Sequence, residues 1–182
     1  YQNPDNQIFS STVKEEVSFG LKNLSYPKEK IEPKVKEVLH AVDLDGYEEE
    51  DPFILTKGEK QRLAVASVLV TEPRVIILDE PTTGLDYLEL KKLMNLLKEL
   101  NRKGHTIIMV THTMWLVAEY ATRAVVLDQG KIVFDGQVRD LFREEEELKN
   151  YNLEIPPIIE LSNRFRQTLL SVEEFLYCLK RR

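Results

Sequence analysis

Residues 75–86 read VIILDEPTTGLD and place an apolar run directly before two carboxylates. Four consecutive β-branched and aliphatic residues are typical of a strand that is buried on both faces of a parallel sheet. Asp79 and Glu80 then fall at the carboxyl end of that strand, where open α/β sheets bind their ligands. An aspartate there can hold magnesium, and a neighbouring glutamate can deprotonate the water that attacks a terminal phosphate. A polar turn after a strand is the alternative interpretation.

Downstream of this stretch the sequence alternates helices and strands. The predicted order is a helix from Asp86, a strand over 106–111, a helix over 114–121, a strand over 124–127 and a hairpin at 128–131. Such an order is typical of right-handed βαβ units in one sheet. His112 ends the second strand, so we expect its imidazole at the same sheet edge as Glu80, lining a common cleft and within reach of a phosphate oxygen. A purely structural histidine is the alternative.

Upstream of residue 75 the sequence predicts helices. They cover residues 12–24, a stretch from Pro33, and a stretch from Thr56 to near Pro73. Thr56 and Glu59 have the spacing of a capping box, which marks the start of a helix. The free N–H groups and partial positive charge there attract anions, and Gly58 would let a phosphate approach closely. An ordinary capped helix is the alternative.

The composition limits the classes of partner. The chain has 182 residues, a formal net charge of -6 and one cysteine. A net acidic balance disfavours nucleic acid as a partner, because phosphate backbones recruit clustered Lys and Arg. The single cysteine and the absence of a signal-peptide pattern favour a cytoplasmic setting. Apolar runs are much shorter than the roughly 20 residues that cross a bilayer, so any membrane role would go through a partner.

Three segments, in this order and at these distances, closely resemble the ATPase subunits of ABC transporters. They are LTKGEKQRLAVASVL at 55–69, VIILDEPTTGLD at 75–86 and IIMVTH at 107–112. The resemblance implies an α/β, P-loop NTPase-like core with a parallel sheet, preceded by a helical subdomain, and hydrolysis of ATP with Mg²⁺. It identifies residues 55–59 as the signature motif and 83–86 as the D-loop. Asp79 and Glu80 would belong to the Walker B strand.

The same resemblance assigns roles to individual residues. The implied catalytic residues are Glu80, the switch histidine His112 and the Q-loop glutamine Gln2. The implied ATP-binding residues are Thr56, Gly58, Glu59 and Asp86. Asp79 and Gln2 would hold Mg²⁺.

A narrower resemblance is to the energy-coupling-factor, or cobalt-type, importer ATPases. Residues 2–24 are similar to the segment that follows the Q-loop in those proteins, and residues 155–179 look like the extension that they carry. This implies a transmembrane importer subunit and a second ATPase subunit as partners, at the inner face of the cell membrane. We expect a helical subdomain with the signature motif over 1–70, a RecA-like half-domain over 71–136 and a helical extension over 137–182.

The sequence contains no phosphate-binding P-loop of the form G-x-x-x-x-G-K-[ST], since no two of its seven glycines are five positions apart. In the family this loop precedes the Q-loop glutamine, so we expect it upstream, together with the first strands of the core. Residues 1–182 would then supply only the signature half of a site shared by two subunits, and their sheet would expose apolar surface that favours self-association. A non-catalytic docking module that pairs with an intact ATPase, and a soluble ABC ATPase, are the alternatives.

The signature segment departs from the usual L-S-G-G-Q pattern of the family. Lys57 stands at a position normally held by glycine, and Glu59 replaces glutamine, whereas Thr56 keeps a hydroxyl. Glu59 would bring a negative charge close to a γ-phosphate. We expect the capping box, or nearby Lys60 or Arg62, to absorb that charge.

Overall fold

The computed structural model describes residues 4–180, and the chain forms two compact units. The first extends to Val110 and the second begins at Thr111. The three-part division into 1–70, 71–136 and 137–182 stays a prediction. Throughout residues 4–180, every helix is too short or too polar to cross a bilayer.

The first unit consists of four helices and two strands. Its elements are α1 (Val13–Asn23), α2 (Lys28–Ala41), α3 (Lys57–Leu69), β1 (Val75–Asp79), α4 (Tyr87–Arg102) and β2 (Thr106–Val110), with short 3₁₀ helices at Pro4–Asn6 and Pro52–Ile54. The hydroxyl of Thr12 accepts from the N–H of Glu15 at the start of α1, as capping residues do. The alternation of helix and parallel strand confirms the predicted α/β class.

Helix α2 begins earlier than the sequence indicated. It starts at Lys28 after Pro27, and Pro33 lies inside it rather than at its start. An internal proline leaves one carbonyl without its amide donor, which usually ends a helix. Pro33 is exposed, so water can reach that carbonyl.

Strands β1 and β2 pair in parallel, with Asp79 opposite Val110. Ile76 and Leu78 are buried, whereas Val75 and Ile77 on the other face are 46% and 69% exposed. The prediction that this strand is buried on both faces is therefore wrong for the described residues, in which helices cover one face only. Helix α4 buries six residues along its inner side: Leu90, Leu93, Met94, Leu96, Leu97 and Leu100.

The second unit contains an antiparallel hairpin surrounded by short helices. Its elements are α5 (Met114–Tyr120), β3 (Arg123–Asp128), β4 (Lys131–Gln137), α6 (Val138–Leu141), α7 (Glu145–Asn150), α8 (Pro157–Asn163) and α9 (Val172–Leu179). Among its core residues Phe142, Leu148 and Ile159 are almost completely buried.

The strand predicted over 124–127 does not join β1 and β2 in one parallel sheet. It pairs instead with β4 in a separate two-stranded sheet. Gln129 and Gly130 both have positive φ, which is the backbone that a two-residue hairpin turn requires. The predicted hairpin at 128–131 is therefore confirmed, and it gives β3 a partner that is adjacent in sequence and needs less loop-closure entropy than a distant strand.

Candidate functional site

The two predicted carboxylates lie at the carboxyl end of β1, as expected. The N–H of Glu80 donates to the carbonyl of Val110 at 2.9 Å, which continues the ladder between β1 and β2 by one residue. Glu80 has φ of 44°, a left-handed backbone that costs a residue with a Cβ about 1–2 kcal/mol. The ladder bond, and a turn bond of 3.2 Å from the N–H of Thr83 to the carbonyl of Glu80, hold this conformation.

The D-loop segment, residues 83–86, directly precedes α4. Gly84 has φ of +72°, and a Cβ at that position would lie 3.3 Å from Cε of Lys57. The side chain of Lys57 in the signature segment therefore covers Gly84 in the D-loop. Asp86 caps α4, since its carboxylate accepts from the N–H of Glu89 at 2.9 Å. The structure thus brings two predicted nucleotide-binding segments into contact.

The signature segment forms the capping box that its spacing predicts. The hydroxyl of Thr56 accepts from the N–H of Glu59 at 3.3 Å. In return, Oε2 of Glu59 accepts from the N–H and from the hydroxyl of Thr56, both at 2.8 Å. These bonds fix the first turn of α3.

Glu59 has a third donor that the sequence did not reveal. The hydroxyl of Tyr47 donates to Oε1 of Glu59 at 3.0 Å. Burial by itself raises the pKa of Glu59, but the hydrogen bonds from Thr56 and Tyr47, together with the charge of Arg62, outweigh it and lower the pKa below its ordinary value. The same contact raises the pKa of Tyr47. Glu59 is therefore held ionised at neutral pH.

The two basic residues that were expected to compensate Glu59 have other carboxylate partners. Lys60 donates to Asp5 at 2.8 Å, and the buried Arg62 forms an ion pair with Glu89 on α4. Arg62 still lowers the pKa of Glu59 through its charge. The capping box and Tyr47 thus bind the Glu59 carboxylate directly, and Arg62 acts on it at longer range.

Gly58 is required by close packing against α4. A Cβ at this position would lie 2.6 Å from Cγ of Glu89, closer than nonbonded atoms approach. Gly58 itself is buried. This contact explains a glycine at this position without reference to a phosphate, and it ties the signature helix to the helix that follows the D-loop.

Two predicted site residues remain, His112 and Gln2. His112 follows β2 by two positions and belongs to the second unit, where it is exposed beside the turn that Thr113 and Thr111 close with a hydrogen bond of 3.1 Å. Its proximity to Glu80 stays a prediction. Gln2 lies outside the described residues. Within residues 4–180, no group of three or more His, Cys, Asp or Glu side chains is arranged to hold a metal ion.

Comparisons with known proteins agree with these motifs. The family model described as ABC transporter matches residues 1–83. A putative ABC transporter ATP-binding protein of Caldanaerobacter subterraneus subsp. tengcongensis is 56% identical over 181 residues, which cover 100% of this chain and 32% of that protein. One from Pyrococcus furiosus is 42% identical over 177 residues, covering 97% of this chain and 67% of that protein. The chain therefore belongs to the ABC transporter ATP-binding proteins, a family of ATPases.

Two further relatives are an energy-coupling factor protein and a cbiO protein. The energy-coupling factor transporter ATP-binding protein EcfA of Methanocaldococcus jannaschii is 47% identical over 161 residues, covering 88% of this chain and 58% of that protein. The structure of cbiO1 from Clostridium perfringens, described as part of the ABC transporter complex cbiONQ, matches with a TM-score of 0.73 and 37% identity, over 89% of this chain and 65% of that one. The resemblance read from the motifs is confirmed. The chain spans 32% and 58% of the length of the Caldanaerobacter and Methanocaldococcus relatives.

Proposed function

We propose that this chain is part of the ATP-hydrolysing subunit of an energy-coupling-factor or cobalt-type importer, where it couples ATP hydrolysis to substrate uptake. The observation that carries the proposal is the placement of Asp79 and Glu80 at the carboxyl end of a parallel strand. The relatives named as energy-coupling factor and cbiO proteins support the importer type.

The residues present fit ATP and Mg²⁺ as ligands. The carboxylate of Asp79 is exposed at the strand end and is a hard oxygen donor of the kind that Mg²⁺ prefers. Asp79, with Gln2, would hold the ion, which neutralises charge on the phosphates when bound. Glu80 would accept a proton from the attacking water, and the imidazole of His112 would donate a hydrogen bond to the terminal phosphate.

Residues 55–59 would contribute to a nucleotide bound mainly by another ATPase subunit. The amino terminus of α3 attracts phosphate through its free N–H groups and partial positive charge, and Lys57 adds a cation beside it. We assign residues 55–59 to the signature side of the site that the two subunits share. A transmembrane subunit would hold this assembly at the inner face of the membrane.

A second candidate function rests on the capped first turn of α3 with Lys57 beside it. Residues 1–182 would then be a docking module that binds an intact ATPase and supplies only the signature side, without hydrolysing ATP.

Phosphate release by the complete gene product separates the two functions. Under the first proposal, Glu80→Gln should lower kcat at least about a hundredfold, because general-base catalysis contributes that much. Glu99→Gln, on the exposed side of α4, is the matched control. Hydrolysis that survives Glu80→Gln would overturn the assignment of Glu80, and no hydrolysis by the wild type would favour the docking module.

A further inference from the structure

Tyr47 is held in a fixed position by the loop between α2 and α3. Its N–H donates to the carbonyl of Leu44 at 3.3 Å, and its carbonyl accepts from the N–H of Glu50 at 3.0 Å. The loop is also joined to α1, since the N–H groups of Val13 and Lys14 donate to the carbonyls of Glu50 and Glu48 at 3.1 and 2.9 Å. The phenol is therefore presented to Glu59 by a loop that is anchored on both sides.

The Glu59 carboxylate receives hydrogen bonds on both oxygens. Oε2 takes the two donors of Thr56 and Oε1 takes the hydroxyl of Tyr47. This geometry also directs the only hydroxyl proton of Thr56 towards Glu59. A phosphate bound at the first turn of α3 would therefore lie near the negative charge of Glu59, but both oxygens of this carboxylate are already hydrogen-bonded to Thr56 and Tyr47.

We infer that Tyr47 is a positioning residue for nucleotide recognition, which holds Glu59 in the capping box and thereby limits the repulsion between this carboxylate and the phosphates of ATP. The inference rests on the proposed function. A glutamine at position 59 would lack the charge, so Glu59 weakens binding of ATP to the signature side. Removing the Tyr47 hydroxyl takes away the donor on Oε1 and leaves the carboxylate less restrained and more repulsive.

The effect is expected on KM for ATP rather than on kcat, because neither side chain takes part in proton transfer. Tyr47→Phe should raise KM about threefold, and Glu59→Gln should lower it by a similar factor. Changes of this size are expected when one carboxylate repels the phosphates of ATP through partly screening solvent. The double variant should behave like Glu59→Gln alone, since the phenol has no carboxylate left to position. A higher salt concentration should reduce the difference in KM between wild type and Glu59→Gln, because salt screens the repulsion.

The experiment is steady-state ATP hydrolysis by the complete gene product in these four forms, with Tyr26→Phe on the loop after α1 as the matched control. A ¹³C NMR titration of Tyr47 in residues 1–182 checks the contact, because its ionisation midpoint should fall in the Glu59→Gln variant. The inference would be overturned if Tyr47→Phe changed KM for ATP equally with glutamate and with glutamine at position 59. An unchanged KM in Glu59→Gln would overturn it as well. Those results leave the proposed function standing, whereas no hydrolysis by the wild type would overturn both.

Discussion

Arg62 on α3 and Glu89 on α4 form an ion pair in which the guanidinium is almost completely buried, with 4% of Arg62 exposed. The Nε of Arg62 also donates to the carbonyl of Val42, at the end of α2, at 3.0 Å. A single guanidinium therefore links three helices of the first unit, among them the signature helix and the helix that follows the D-loop.

Removing the carboxylate of this pair should destabilise the first unit. Glu89→Ala leaves a buried cation without its partner, a change that typically costs about 3 kcal/mol. Urea unfolding of residues 1–182 followed by circular dichroism measures the loss. The control is Glu32→Gln, which removes an exposed pair with Lys36 and should cost less than about 1 kcal/mol. Equal costs for the two variants would show that the buried pair contributes no more than a surface one.

Gly58 and Glu89 should be energetically coupled. Gly58→Ala adds a methyl group that must displace the Glu89 side chain, so we expect a loss of about 1–3 kcal/mol, as for other overpacked sites. In the Glu89→Ala background the space is vacant, and the same substitution should cost little or become favourable through alanine's higher helix propensity. If Gly58→Ala lowered the free energy of unfolding equally in the wild type and in Glu89→Ala, the packing explanation for this glycine would be contradicted.

Much of the first unit could be predicted because its signals are local. Capping boxes, helix caps and the carboxylates after β1 each depend on residues within a few positions. Tyr47 could not be assigned, since its contact with Glu59 spans 12 positions and arises only when the loop packs on α3. The contact of Lys57 with Gly84 depends on tertiary packing in the same way. The pairing of β3 with β4 was predicted from the local turn at Gln129 and Gly130, whereas the expectation that β3 also joins the β1–β2 sheet was wrong because an alternating order of elements does not specify which strands pair.

Residues 1–182 should bind Mg-ATP weakly by themselves. Residues 1–182 offer the first turn of α3, Lys57 and the carboxylates of β1, but they contain no P-loop pattern, whose backbone N–H groups would enclose the phosphates. Isothermal titration with Mg-ATP should therefore show no saturable binding in the micromolar range. A micromolar Kd would mean that this chain cradles the phosphates through residues that the motif analysis does not identify.

The second unit should contain a pH-dependent contribution to stability. The hydrogen bonds from Arg139 lower the pKa of Glu174, against the opposing effect of burial. A carboxylate whose pKa is lower in the folded state stabilises the fold above its unfolded pKa of about 4.3, and this contribution is lost as the pH falls through the folded pKa. Glu174→Gln should cost up to about 1 kcal/mol at pH 7, because the pair is partly exposed.

Trp115, the single tryptophan, reports on this unit through its fluorescence. Thermal unfolding followed at Trp115 should show a lower stability for Glu174→Gln than for wild type at pH 7, and this difference should decrease as the pH is lowered below about 4.3. Glu173→Gln on the same helix is the matched control and should show no such pH dependence. A difference that persists unchanged at pH 3 would assign the effect to packing rather than to the ionised carboxylate.

The open face of the β1–β2 sheet should make residues 1–182 associate with themselves. Val75, Ile77, Ile108 and Val110 lie on that face and are between 46% and 69% exposed. Four adjacent apolar side chains form a continuous patch of the kind that drives association. Ile77→Lys places a charge in its centre and should shift sedimentation velocity profiles towards the monomer. Leu88→Lys changes a side chain of comparable exposure on α4, outside the sheet, and should leave the profiles unchanged. If the wild type were monomeric at all concentrations, or if the two substitutions had equal effects, the patch would not be the cause of self-association.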